Sequence, residues 1–283
     1  MSREGRERKK MRRNDKERKK IMGKLLKADF YRLFRSKSLY WCSLVFTALL
    51  CGSAYIMHWA NTLQENAKVT IQTLSPLQNG ITYGLWVFNG GDSHLFMAIF
   101  IAIFITSEFS YGTMKNIVSK GFSRYQIYLS KLITMTASTM FMMLIAFVFT
   151  TITATILTGK LGDFTWTFVG QIFQMLGVEL LLHTALTSLF LMISMLIRNN
   201  GGAIAVSIIG VISFGSLIYT GLELLFKNKI KFSNYGLRNN IILFFQNLAP
   251  PASDILRALC VGIVFLVVTS TVGMLVFENT DVK

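Results

Sequence analysis

The sequence predicts an all-α polytopic membrane protein with six transmembrane helices. Hydrophobic residues make up 52% of the chain and charged residues 15%, whereas a soluble domain has about 25% charged residues. Apolar runs of roughly 20 residues recur along the chain, and each is long enough to cross a hydrocarbon core of about 30 Å. These runs lack the strict alternation over about ten residues that marks the strands of an outer-membrane barrel.

The chain divides into three predicted parts. Residues 1–21 form a basic arm that is too poor in apolar residues to fold off the membrane, although translation could instead begin at Met22. Residues 22–38 form an interfacial amphipathic helix, whose apolar residues recur at helical spacing at Leu26, Phe30, Leu33 and Phe34. Residues 39–283 form the six-span domain, with spans at 39–57, 93–110, 132–157, 168–197, 203–226 and 255–277.

Basic residues determine the predicted orientation. Residues 1–37 carry sixteen Lys or Arg against five Asp or Glu, which accounts for most of the net charge of +15. This placement suits anionic lipid rather than nucleic acid, and the positive-inside rule puts both termini and residues 108–131 in the cytoplasm. Four basic residues would face outward against the rule: Lys227, Lys229, Lys231 and Arg238. Removing a span would misplace more basic residues than these four.

Two connecting regions are predicted to contain little transmembrane structure. Residues 58–93 form a mixed loop, and its aromatic residues suit an interfacial belt: Trp59, Tyr83, Trp86 and Phe88. Between spans five and six, the apolar patch at 241–245 is too short to cross and is predicted as a re-entrant or interfacial helix.

The sequence lacks the motifs of a nucleotide-hydrolysing or metal-dependent enzyme. Neither GxxxxGK[ST] nor HExxH occurs, so there is no recognisable phosphate-binding loop or zinc-protease site. Cys42, Cys51 and Cys260 are odd in number and lie in apolar runs, which indicates buried thiols rather than disulfides. We therefore expect a non-catalytic chain without a cofactor or metal of its own.

The polar segment 108–131 lies between two apolar spans, and its residues predict a short helix followed by the start of another. Gly112 and Thr113 provide a turn and a helix N-cap, and apolar residues follow on one helical face at Met114, Ile117 and Val118. Gly121 is placed to end this short helix. Ser123 and Gln126 form a capping-box pattern that starts the next helix.

Glu108 lies near the carboxyl end of span two, where the helix dipole disfavours a negative charge by about 0.3–1 kcal/mol. We therefore expect a cationic partner, and Lys115, Arg124 and Lys131 are the candidates. The alternative is a solvated carboxylate at the membrane boundary.

Glu179 and His183 are spaced i, i+4 within span four, so they lie on one face of the helix. Ionisable residues inside a span usually face the bundle interior or an aqueous path. The pair could contact a polar substrate or act as a proton-sensitive switch, whereas a metal site would need further ligands. The structural alternative is hydrogen bonding between helices.

The residues of segment 108–131 resemble the E-x₃-G-T-x-[KR]…[ST]-R-x₆-K pattern of ABC-2-type transporter permeases. The matching positions are Glu108, Gly112, Thr113, Lys115, Ser123, Arg124 and Lys131. The six-span layout and the amphipathic N-terminal helix are similar too, so the resemblance extends over residues 22–283. Gly121-Phe122 departs from the family, which often has a proline before the Ser-Arg pair.

The resemblance implies a non-catalytic permease subunit whose ATP and Mg²⁺ are bound by a separate cytoplasmic ABC ATPase dimer. The short helix in segment 108–131 would be the coupling helix that contacts this ATPase, with Ile117 and Gly121 among its residues. A second permease subunit, either an identical copy or a related paralogue, would complete the pore in the bacterial plasma membrane.

The resemblance further suggests export of an amphipathic or hydrophobic compound, such as a peptide antibiotic, a drug or a lipid. Small permeases of this kind are similar to bacterial lantibiotic and bacteriocin immunity subunits and to multidrug exporters. Two other classes stay open: an ATP-independent secondary transporter, and a membrane scaffold or sensor subunit that transports nothing.

Overall fold

The computed structural model describes residues 22–67, 77, 79–89, 91–162, 165–209, 214–226, 231–246 and 249–279. The predicted arm at 1–21 lies outside these ranges, within which every regular element is a helix, as predicted. Helix α1 covers residues 22–35. The others are α2 (Lys37–Ala67), α3 (Gly80–Asn89), α4 (Gly91–Ser110), α5 (Thr113–Ser119), α6 (Arg124–Thr158), α7 (Trp166–Ile197), α8 (Asn200–Val206), α9 (Phe214–Leu225), α10 (Leu237–Gln246) and α11 (Ala252–Asn279).

Five helices in the described ranges are long and apolar enough to cross a membrane: Lys37–Leu63, Ser93–Ser110, Arg124–Thr158, Trp166–Ile197 and Ala252–Asn279. They correspond to predicted spans one to four and six. Predicted span five, residues 203–226, contains the end of α8, a π turn at 207–209 and the 12-residue α9; residues 210–213 lie outside the described ranges. The count of six is therefore not confirmed, whereas a multi-pass helical architecture is.

The prediction of a mixed loop at 58–93 is wrong for much of its described part. Helix α2 continues into this region, and α3 is a largely buried helix packed on α6. Gly80 and Gly84 face two α6 threonines so closely that a Cβ on either glycine would collide with them, and small residues at this spacing let membrane helices approach. Tyr83 and Phe88, predicted in an interfacial belt, are buried inside the protein.

Helices α4 and α7 form the centre of the bundle. In each, 61% of the spanning window is buried, against 22–28% for α2, α6 and α11. Helix α7 packs along α11 and α4, while α6 packs against α2 and α3. The short helix predicted at 241–245 is part of the longer α10, which buries Leu237 and Ile241 and contacts α3, α7 and α11. The central pair α4 and α7 carries the buried polar residues His94, Glu108, Glu179 and His183.

Candidate functional site

Segment 108–131 folds largely as the sequence predicts. Helix α5 lies between two glycines in the left-handed conformation, Gly112 (φ 66°) and Gly121 (φ 81°), where a Cβ would be strained. Ser123 Oγ accepts from the backbone N–H of Gln126 at 3.3 Å, and the Gln126 side chain accepts from the Ser123 N–H at 3.4 Å. This confirms the capping box. The N-cap of α5 is Gly112, which has no side chain to cap with, and Thr113 is the first helical residue.

Helix α5 has one face against the bundle and one face exposed. Met114 is fully buried, and Ile117 and Val118 pack against the hydrophobic core. The exposed residues are polar or basic: Lys115, Asn116, Ser119 and Lys120. A helix of seven residues is too short to be stable alone, so its position depends on the contacts of its apolar face.

Three buried charged residues and the partly exposed Arg32 join α1, α4 and α6. The Lys131 ammonium group is 0% exposed, contacts the Asp29 carboxylate and donates to Glu108 Oε1 at 2.7 Å. Arg32 contacts the same Glu108 oxygen at 2.9 Å, and Ser130 donates to Asp29 at 2.5 Å. Asp29, Arg32, Glu108 and Lys131 are referred to below as the buried ion network. Its two carboxylates and two cations balance, which offsets the cost of removing them from water.

The expectation of a cationic partner for Glu108 is confirmed for Lys131. Lys115 is exposed on α5. Arg124 instead donates to the backbone carbonyl oxygen of Phe277 at 2.5 Å and lies over the Phe277 ring, 5.7 Å from its centroid. Glu108 is therefore compensated at the unfavourable end of the helix dipole, and Arg124 joins α6 to α11.

The buried face of helix α1 overlaps the predicted one, because Leu33 is buried and Phe30 packs against the core, but it is centred on other residues. Leu25, Asp29 and Leu33 are buried at i, i+4 and i+8, whereas Phe34 is 49% exposed. The face that contacts the bundle therefore includes an acid. Asp29 and Arg32 are network members that the sequence reasoning missed, although Asp29 stands out as an isolated acid in the basic stretch before the first span.

Glu179 and His183 lie on the buried face of α7, as their spacing predicts. His183 Nδ1 is 2.8 Å from the backbone oxygen of Glu179 and 3.2 Å from its carboxylate. His94 of α4 joins them, with its ring centroid 5.9 Å from that of His183. All three are at most 1% exposed. These three residues are referred to below as the carboxyl–histidine cluster.

The sequence reasoning missed His94, because periodicity relates residues within one helix and not between two helices. The available signal was that His94 is an ionisable residue inside predicted span two. Within the described part of the chain, no group of three or more His, Cys, Asp or Glu could hold a metal ion. Helix–helix hydrogen bonding, a polar substrate contact and a proton-sensitive switch remain as alternatives.

Comparison with known proteins places these features in a family. The search of curated proteins gives no match. A family model described as ABC-2 family transporter protein matches residues 25–215, which is 191 of the 283 residues. The matched range includes α5, the buried ion network and the carboxyl–histidine cluster. The chain therefore belongs to the ABC-2 family of transporter proteins, whose members are membrane-spanning permeases of ABC transporters.

Proposed function

We propose that this chain exports an amphipathic or hydrophobic compound, using ATP that a separate ATPase subunit hydrolyses. The observation that carries the proposal is the construction of α5, which is held to the bundle by Met114 and exposes Lys115 and Lys120. A short helix fixed on one side and polar on the other is suited to contact a cytoplasmic partner. The chain itself has no phosphate-binding loop motif, so ATP and Mg²⁺ are assigned to the partner.

The buried ion network provides contacts through which a movement of α5 can be passed to the spans. Lys131 joins α6 to Glu108 of α4 and to Asp29 of α1, so a displacement of α5 is expected to move these three helices together. Coupling between distant sites requires a connected element that both sites can shift. In this proposal, closure of the ATPase displaces α5 and thereby changes the packing of the spans.

The proposed assembly contains two permease subunits, identical or paralogous, and an ATPase dimer. It lies in a bacterial plasma membrane with both permease termini in the cytoplasm, in keeping with the basic N-terminal region. Candidate substrates are peptide antibiotics, drugs and lipids, and transport of a peptide antibiotic would give immunity to it.

An apolar groove supports a hydrophobic substrate. The groove has a volume of about 660 Å³ and lies between α6, α7 and α11. Its lining includes Leu129, Ile133, Met140, Leu180, Leu266 and Met274. The polar side chains in the rest of its lining are hydroxyls, which can accept or donate a hydrogen bond without carrying charge.

The test compares two exposed lysines in the full chain, purified from its native membranes. Lys115→Glu on α5 is expected to reduce the co-purified ABC ATPase by roughly tenfold, which corresponds to about 1.4 kcal/mol of binding free energy. Lys160→Glu, an equally exposed lysine between α6 and α7, is the matched control and should retain the ATPase. Both variants should keep the wild-type thermal unfolding midpoint (Tm), because neither lysine is buried.

The wild-type purification also tests the proposal itself. If no ABC ATPase is retained and none stimulates transport, the proposed function is wrong. Vesicles that contain the chain alone, with a proton gradient and without ATP, test the secondary transporter. Uptake under those conditions would favour that alternative.

A further inference from the structure

The carboxyl–histidine cluster lies where two central helices meet. Glu179 and His183 come from α7 and His94 from α4. From α10, Arg238 is close enough to His94 to interact with it electrostatically. Helix α11 presents Gly262 to this part of α7, where it meets Leu181 and Leu182.

The other described ionisable side chains on helices that pack against α7 lie towards the ends of those helices, and the side chain of Asp92, two positions before His94 in α4, lies outside the described residues. On α6 they are in the first turns, at Arg124, Tyr125, Tyr128 and Lys131, and Glu108 is at the far end of α4. On α11, Asp254 and Arg257 pair with each other in the first turn, at 2.8 Å. Cys260, predicted as a buried thiol, is exposed because its side of α11 faces away from the bundle, and Glu278 lies near the carboxyl end of that helix. Among the described side chains, His183 is the ionisable group that contacts Glu179 directly.

The cluster contains more hydrogen-bond acceptors than donors. His183 Nδ1 is 2.8 Å from the backbone oxygen of Glu179. A carbonyl can only accept, so Nδ1 carries the hydrogen and the Nε2 of a neutral His183 is an acceptor. His183 Nε2, His94 Nε2 and both carboxylate oxygens of Glu179 are buried without a hydrogen-bond partner among the described residues. Even if His94 Nε2 carries a hydrogen, that one donor cannot satisfy the three acceptors of His183 and Glu179.

The contact between Glu179 and His183 is not an aligned ion pair. Nδ1 is 3.2 Å from Glu179 Oε2, yet the geometry does not qualify as a hydrogen bond to that oxygen. A buried carboxylate is strongly disfavoured unless it is paired and hydrogen-bonded. A protonated carboxyl next to neutral imidazoles places no charge on these three residues, and its O–H supplies the missing donor.

We propose that the carboxyl–histidine cluster is a proton-binding site, in which Glu179 holds one proton while α7 is packed against α4 and α10. The ligand is the proton itself, bound at a carboxylate oxygen. If these helices separate and water reaches the carboxyl, hydration stabilises the ionised form and the proton leaves. The site therefore links the protonation of Glu179 to the packing of the central helices.

Infrared spectroscopy tests the location of the proton. Wild-type protein at neutral pH is expected to show the C=O stretching band of a protonated carboxylic acid, and Glu179→Gln should lose that band. The matched control is Glu278→Gln, the same substitution at an exposed position in the last turn of α11, which should keep it. If wild-type protein shows no such band, Glu179 is ionised and the proposal is overturned without the use of any variant.

Thermal unfolding gives a second, independent test. A group that binds its proton more tightly in the folded protein than in the unfolded chain adds stability at low pH, which is lost as pH rises. Between about pH 5.5 and about pH 8.5, wild type should therefore lose stability that Glu179→Gln keeps, because the amide donor cannot dissociate. The Tm of the variant minus the Tm of wild type should increase over this range. The expected increase is on the order of 3 °C.

A Tm difference that stays constant with pH overturns the proposal. Neither measurement requires the ATPase or a substrate, so failure of the proposed function would leave these results unaffected.

Discussion

The buried ion network and the carboxyl–histidine cluster are similarly buried but differ in how their charges are paired. In the network, each carboxylate contacts a cation, and Lys131 contacts both carboxylates. Among the described residues, Glu108 Oε2 is the one carboxylate oxygen of the network without a hydrogen-bond partner, whereas both Glu179 oxygens of the cluster lack one. Because the free energy of a buried charge depends on its partners, the network is expected to stay ionised and hold helices together. The cluster is expected to be neutral and able to change its protonation.

The largest effect should come from breaking the network at its shared cation. Lys131→Met leaves two buried carboxylates with only a partly exposed arginine between them, and removal of one partner from a buried pair costs about 3–5 kcal/mol. We expect the Tm to fall on the order of 10 °C. Lys120→Met, at an exposed position on the same segment, is the control and should leave the Tm unchanged.

A neutral version of the network separates the loss of charge balance from the loss of packing. Adding Asp29→Asn and Glu108→Gln to Lys131→Met keeps similar volumes and leaves only the partly exposed Arg32 charged, so most of the lost stability should return. A combined variant as unstable as Lys131→Met alone would show that packing rather than charge balance stabilises the network.

The next largest effect should be the difference between the same Glu-to-Gln substitution made in each of the two regions. Glu108→Gln removes a partner of Lys131 and should lower the free energy of unfolding by about 1–3 kcal/mol. Glu179→Gln should leave the Tm unchanged in mildly acidic buffer, where Glu179 is already neutral. Equal losses in the two variants would remove the distinction drawn between the regions.

The smallest effect is expected at the rim of the network. Arg32 keeps 30% of its side chain exposed, so Arg32→Met should lower the free energy of unfolding by about 1 kcal/mol or less. Salt screens exposed charges more than buried ones. Raising the salt concentration should therefore reduce the effect of Arg32→Met and leave that of Lys131→Met nearly unchanged.

Relations within one helix were predictable from the sequence. The capping box at Ser123 and the shared face of Glu179 and His183 follow from spacings of three and four residues. Five of the predicted spans follow from the length of apolar runs. The joining of Asp29 to Lys131, which lie 102 positions apart, follows from neither rule.

Helix α3 shows a different reason for failure. It lies within residues 58–93, which were predicted as a mixed loop, and its Gly80 and Gly84 would destabilise an isolated helix. In the bundle, the same residues allow α3 to pack on α6. The stabilising contact comes from the partner helix, so local sequence alone does not predict α3.

The contact between Arg124 and Phe277 joins two spans that are not consecutive in the chain. A movement at one span can therefore pass directly to a span that is distant in sequence. Arg124 is the first residue of α6. Its guanidinium donates a hydrogen bond to a backbone carbonyl near the end of α11, where carbonyl groups lack a donor within their own helix. The final span is 153 positions distant in sequence from this residue, yet it adjoins the turn that follows α5. A rotation of that turn would therefore displace α11, in the outer layer of the bundle, as directly as it displaces α4 at the centre.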